Sequence, residues 1–285
     1  MPILDIVLAG LAVPVVATIA AALLVRLVGG RSVGARAAAV GVPIGLAAAY
    51  AVAPGWPWAP PTDPFDQLAW LAVGGGLLGL AIDLATPGRL TATIVAAVWP
   101  AIGLAWLGGA VLLHGDGNDL YRFGEVSVVL GLILVRLYRL SGDGVSGPLT
   151  AAVIAAGIGV LGLFSDVPGL AAVGLPLAAT GIGWLACNWP KRRFPFGAAG
   201  LLGGSGVALV LAGHAALLTP VNASLVLVVL TAVLIQPVVP LLVGRLPGLR
   251  ALSMRPVVTA LFVAIPVAAA VALAWLAPTL IPSLY

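Results

Sequence analysis

The chain has 285 residues, of which 62% are hydrophobic and 8% charged, and its mean hydropathy is +1.20. A soluble domain carries about a quarter of its residues as Asp, Glu, Lys and Arg, so the composition excludes a water-soluble globule and implies one integral membrane domain spanning 1–285. The net charge of +4 reflects scattered loop arginines, which act as a topology signal and an anion-facing surface and do not imply nucleic acid. Cys187 is the only cysteine, which excludes an internal disulfide and a cysteine metal cluster.

Apolar runs matching about 30 Å of hydrocarbon recur between short polar breaks. They predict an all-α, polytopic protein with ten helices at 3–27, 37–54, 68–84, 91–113, 123–140, 149–164, 169–189, 198–218, 222–244 and 257–280. The period-2 alternation of a membrane β-barrel does not occur. Asp5 and the lack of basic residues ahead of the first run argue against a cleaved signal peptide. Prolines within the apolar runs, among them Pro43, Pro100 and Pro176, predict kinks, and Gly75 with Gly79 and Gly200 with Gly204 have the spacing of close helix contacts.

Sorting the cations by loop orients the bundle. Arg26, Arg31 and Arg36 fall between the first two helices, Arg89 between the third and fourth, and Arg136 with Arg139 before the loop from five to six. Lys191, Arg192 and Arg193 fall between seven and eight, and Arg245, Arg250 and Arg255 between nine and ten. Of the 13 cations only Arg122 is on the other side, which it shares with Asp5, Asp63, Asp66, Asp116, Asp119, Glu125 and Asp166. The positive-inside rule then puts the basic loops in the cytoplasm and both termini outside, as expected for the cytoplasmic membrane of a bacterium.

The inner side keeps only two carboxylates, Asp83 at the end of the third helix and Asp143 in SGDGVSG after the fifth. Acids at helix ends in so apolar a chain are rare. Together with the arginines they could hold a divalent metal and a diphosphate, or simply cap helices and pair with the cations. His114 and His214 fall near the outer face as interfacial or packed imidazoles without metal-ligand spacing, and Asn188, Asn222 and Gln236 are polar groups at segment ends that helix–helix hydrogen bonding would explain.

Between residues 185 and 206 the chain reads LACNWPKRRFPFGAAGLLGGSG. Asn188, Pro190, Gly197 and Gly200 hold the places of an N-x-P motif followed by F-M-G-D-x-G-S, with Ala198 where the aspartate would stand. Asp143, Gly144 and Gly147 echo D-G-x-D-G, with Ser146 replacing the second acid. Asp83, Ala85-Thr86-Pro87 and Arg89 echo a pair of aspartates followed by L-S-P and an arginine, and Pro237-Val238-Val239-Pro240 echoes P-L-L-D without its acid. On these residues the chain resembles the polyprenyl-phosphate N-acetylhexosamine-1-phosphate transferase superfamily, as a divergent member lacking most of the acids.

The resemblance implies transfer of a sugar 1-phosphate from a UDP-sugar to a polyprenyl phosphate in cell-envelope glycan synthesis, with Mg²⁺ as cofactor if the chain is active. Asp83 and Asp143 would be the surviving catalytic or metal-binding acids. Arg89, Asn188, Lys191, Arg192, Arg193, Arg245, Arg250 and Arg255 would meet phosphate, and membrane lipid and a nucleotide sugar would be the partners.

A second resemblance rests on Ile82-Asp83, Pro87-Gly88-Arg89-Leu90-Thr91, Gly142-Asp143-Gly144 and Pro195-Phe196-Gly197. These are similar to the motifs of prepilin peptidases, in which two aspartates would activate a water. A third reading is a non-catalytic lipid-binding subunit or a transporter.

Overall fold

The computed structural model describes residues 8–52, 55–57, 61, 63–86, 88–190, 193–236, 239 and 255–280. Among them every regular element is helical and there is no strand. In chain order the helices are α1 (Gly10–Val28), α2 (Gly30–Val52), α3 (Pro64–Ala85), α4 (Arg89–Leu107), the short α5 (Gly109–His114), α6 (Gly117–Leu140), α7 (Ser146–Phe164), α8 (Pro168–Asn188), α9 (Ala198–Leu218), α10 (Ala223–Ile235) and α11 (Arg255–Leu280). Eight of them, α1 to α4, α7 to α9 and α11, are long and apolar enough to cross a bilayer.

Local chemistry sets the boundaries and corrects several of the predicted ones. Helix α3 begins at Pro64 rather than 68, because the Asp63 carboxylate accepts from Phe65 N at 2.8 Å and proline tolerates the first turn. The predicted segment 91–113 is broken at Gly108, whose N–H returns to the Leu104 carbonyl before α5 begins. Helix α6 spans 24 residues but carries Asp119, Arg122, Glu125, Arg136 and Arg139, which keeps it out of the apolar set. In α10, 13 residues rise only about 20 Å, and most of the predicted 236–244 extension lies outside the described residues.

Burial ranks the helices. The spanning window of α9 is 83% buried and those of α7 and α8 are 72%, whereas α1 and α11 are 17% and 22%. Helix α9 is therefore the axis, and α1 and α11 lie at the periphery. Their outward side chains, including Leu24, Leu27, Val28, Leu261 and Trp275, are 61% exposed or more, an apolar surface too extensive for water and suited to hydrocarbon.

Between lipid-like surroundings and an equally apolar core, close packing supplies the attraction. Helix α3 meets the start of α9 through Gly75 and Gly79. A methyl on Gly75 would stand 2.9 Å from the Leu202 carbonyl oxygen, and one on Gly79 would collide with the backbone of Ala198 and Ala199. Residues Leu201–Gly206 of α9 form a π-helical stretch, buried throughout, and the indole N–H of Trp99 donates to the Leu202 carbonyl at 3.1 Å. The Gly75 and Gly79 spacing read from the sequence thus corresponds to backbone contact, whereas Gly200 and Gly204 pack against the side chains of Phe196, Ala39 and Val42.

Helix-end contacts define two ends of the bundle. At one, the turns α1–α2, α3–α4, α6–α7 and α8–α9 converge through Arg36, Asp83, Ser141, Asn188 and residues 193–199. At the other, Tyr50, Phe65, Gly169 and His214 meet. Among the described residues the first end carries Arg36, Arg89 and Arg193 and the second carries Asp63 and Asp66.

Candidate functional site

The basic end is organised around the strap from Asn188 to Ala199, which links α8 to α9. Its fold starts at Asn188, 2% exposed, whose side-chain oxygen accepts from Arg193 N at 2.9 Å and Phe194 N at 2.8 Å. One amide oxygen thereby closes the turn, and the Asn188 Nδ2 is left without a hydrogen-bond partner. The Trp189–Pro190 peptide bond is cis.

Beyond this turn the strap presses onto the α6–α7 connection. Phe196 N donates to the Ser141 carbonyl at 3.2 Å, and the Trp184 indole N–H donates to the Gly144 carbonyl at 2.8 Å. Trp184 lies edge-on to Phe196, with ring centroids 5.4 Å apart, and tilted against Phe194 at 6.1 Å. Gly144 adopts φ 68, a left-handed turn open to glycine at little cost, and a methyl there would collide with the Phe194 carbonyl.

Each of the two acids ends on backbone N–H groups. The Asp143 Oδ1 accepts from Val145 N at 2.9 Å and Ser146 N at 2.7 Å, and its Oδ2 accepts from the Ser146 hydroxyl. It therefore closes the entry to α7 by satisfying donors that have no partner inside the helix. Asp83 reaches across to another element: its Oδ1 accepts from Ala198 N at 2.8 Å and its Oδ2 from Ala199 N at 3.1 Å. A carboxylate at the positive end of α9 is also favoured by the helix dipole, and the Arg36 guanidinium acts on the same group. A methyl on Gly197 would collide with Asp83 Oδ2 and stand 2.7 Å from the Arg36 carbonyl oxygen, so this glycine makes room for the capping acid.

The structure thus brings Asp83, Asp143, Asn188 and Arg193 to one end, on turns that touch each other. Arg89 opens α4 after the left-handed Thr86 and is exposed. Lys191, Arg192, Arg245 and Arg250 lie outside the described residues, as does the side chain of Arg255 at the start of α11. Gln236 makes the expected helix–helix bonds, donating to the Ser146 carbonyl at 2.8 Å and to Thr150 Oγ1 at 3.1 Å, whereas Asn222 accepts from Ser224 N and caps its own helix α10 instead. Sequence reasoning missed Trp184 and Phe194. The signal available was a tryptophan one turn before Asn188 in an otherwise small-residue helix, a bulky donor that needs an acceptor when buried.

The donor set bears on Mg²⁺. That ion demands near-octahedral oxygen coordination, whereas the described acids direct oxygens to backbone N–H groups, and among the described residues no group of three or more His, Cys, Asp or Glu could hold a metal ion. The described residues thus form no all-protein cage for a resident Mg²⁺. Their arrangement suits anion recognition, since half-buried Arg36 and exposed Arg193 flank a rim whose acids are already engaged. Compared with protein-family models and with curated proteins, the chain matches none.

Proposed function

We propose that this chain is a divergent, catalytically impaired relative of the transferases that move a sugar 1-phosphate from a UDP-sugar onto a polyprenyl phosphate, and that it serves as a non-catalytic binder of the lipid phosphate. In this reading it crosses the cytoplasmic membrane of a bacterium ten times with both termini outside. Helices α6 and α10 complete the crossings, and the basic end faces the cytoplasm. The observation that carries the reading is the double acceptance by Asp83 from Ala198 and Ala199 N–H. The acid that the resemblance would assign to catalysis instead caps the helix that begins where the family's motif places another acid. Lipid phosphate would be met by Arg89, Arg193 and the neighbouring Lys191 and Arg192, with Arg245, Arg250 and Arg255 from the α10–α11 segment.

The test uses full-length protein in nanodiscs. Native mass spectrometry should show retention of undecaprenyl phosphate over undecaprenol, and replacement of Lys191, Arg192 and Arg193 by glutamine should remove that preference. With UDP-GlcNAc, undecaprenyl phosphate and Mg²⁺ the protein should release no UMP. Equal retention of the alcohol and the phosphate would refute lipid-phosphate binding, and UMP release lost in Asp83→Asn would refute the non-catalytic reading.

A further inference from the structure

The opposite end of the bundle holds a cluster that the lipid-phosphate reading leaves unused. His214 on α9 is 4% exposed and its Nδ1 has no hydrogen-bond partner. Its ring lies edge-on to Phe65 on α3, centroids 5.3 Å apart at 83°. Phe65 is the keystone of that end. Its ring fills the place a side chain on Gly169 of α8 would need, its carbonyl accepts from the Tyr50 hydroxyl of α2 at 2.6 Å, and its N–H is held by Asp63. Four helices, α2, α3, α8 and α9, therefore meet at one residue, α2 through its carbonyl and α8 and α9 against its ring, and an imidazole forms one wall of the ring's seat.

An unpartnered imidazole nitrogen among apolar neighbours costs about 1–3 kcal/mol even when neutral. A protonated ring there would be a buried cation, far more costly unless paired. The ionisable groups around it are Asp63, whose charge acts on His214, and Asp66 and Tyr50, whose charges interact with Asp63 and each other. Asp63 accepts from Phe65 N in capping α3 and is exposed, a carboxylate toward which an imidazolium would be drawn.

We propose that His214 is a proton-operated latch at the acidic end: the neutral ring seats Phe65 and locks the four-helix junction, and the protonated ring withdraws toward Asp63 and unlocks it. The device responds to the pH of the compartment on that side and loosens the segment around residues 61–67, which is tied down by Asp63 to Phe65 and by Gln67 to the Pro61 carbonyl. It is independent of the phosphate reading, because none of these residues belongs to the basic end.

The experiment is amide hydrogen exchange on the full chain in nanodiscs, expressed as protection factors so that the intrinsic pH dependence of exchange cancels. Protection at residues 63–69 should fall about fivefold or more between pH 7.5 and pH 5, while α7 stays constant. His214→Gln and His214→Phe should both flatten the profile, the phenylalanine variant guarding against loss of fold in the other. Asp63→Asn should weaken the response. A flat wild-type profile, or a pH dependence that survives in either His214 variant, would overturn the proposal.

Discussion

Removing the Asp83 carboxylate tests whether the basic end is held by a cap that crosses between helices. In Asp83→Ala the N–H groups of Ala198 and Ala199, at residues 8% and 0% exposed, lose their acceptors with little access to water. Each stranded donor costs about 1–3 kcal/mol, partly offset because the carboxylate no longer has to be desolvated, so the expected loss is about 2–4 kcal/mol. In Asp83→Asn the side-chain oxygen still takes one N–H, and the loss should be about half as large. In thermal unfolding of the detergent-solubilised protein, the alanine variant should fall by roughly 5–10 °C and the asparagine variant by roughly half that.

Gly197→Ala sharpens the test, because its methyl collides with Asp83 and also crowds the Arg36 carbonyl. In the wild-type background it should destabilise strongly, and in the Asp83→Ala background by at least about 1 kcal/mol less, since only the Arg36 contact remains. Additive effects of the two substitutions, or an Asp83→Ala protein that melts with the wild type, would refute the assigned contact.

Other expectations concern the strap and the orientation. Gly144→Ala puts a side chain at φ 68 and into the Phe194 carbonyl, so it should cost about 2 kcal/mol or more, read by chemical denaturation. Trp184→Phe keeps the ring contacts but strands the Gly144 carbonyl and should cost about 1–3 kcal/mol with protection lost selectively at residues 141–146. Asp143→Ala should lower stability by about 0.5–2 kcal/mol, less than Asp83→Ala, because its partners are two and three residues away in the same turn. With Cys187 buried, cysteine placed at exposed Arg193 should react with impermeant maleimide from the cytoplasmic side and cysteine at exposed Arg122 from the other. The reverse pattern would invert the proposed topology.

Hydrophobic run length already dictated an all-helical membrane protein, because a chain denied water must satisfy its own backbone and a helix does so locally. The glycine pairs and the gathering of the basic turns were equally legible, since spacing and loop parity are one-dimensional properties. The break at Gly108 was not, and neither was the earlier start of α3. Both depend on which carbonyl or carboxylate a particular N–H finds.

The pairing of Asp83 with Ala198 and Ala199 lay beyond any reading of the sequence alone. Its partners are 115 and 116 positions away, and nothing near Asp83 in the chain distinguishes a metal ligand from a cap. His214 reads from the sequence as an interfacial or packed imidazole, and only the fold shows that it is packed, with Phe65 as the neighbour. Periodicity and charge placement fixed what must be buried and which turns share an end. Only the folded chain decided which buried polar atoms found partners, because those choices are made between helices whose contacts leave no trace in local spacing.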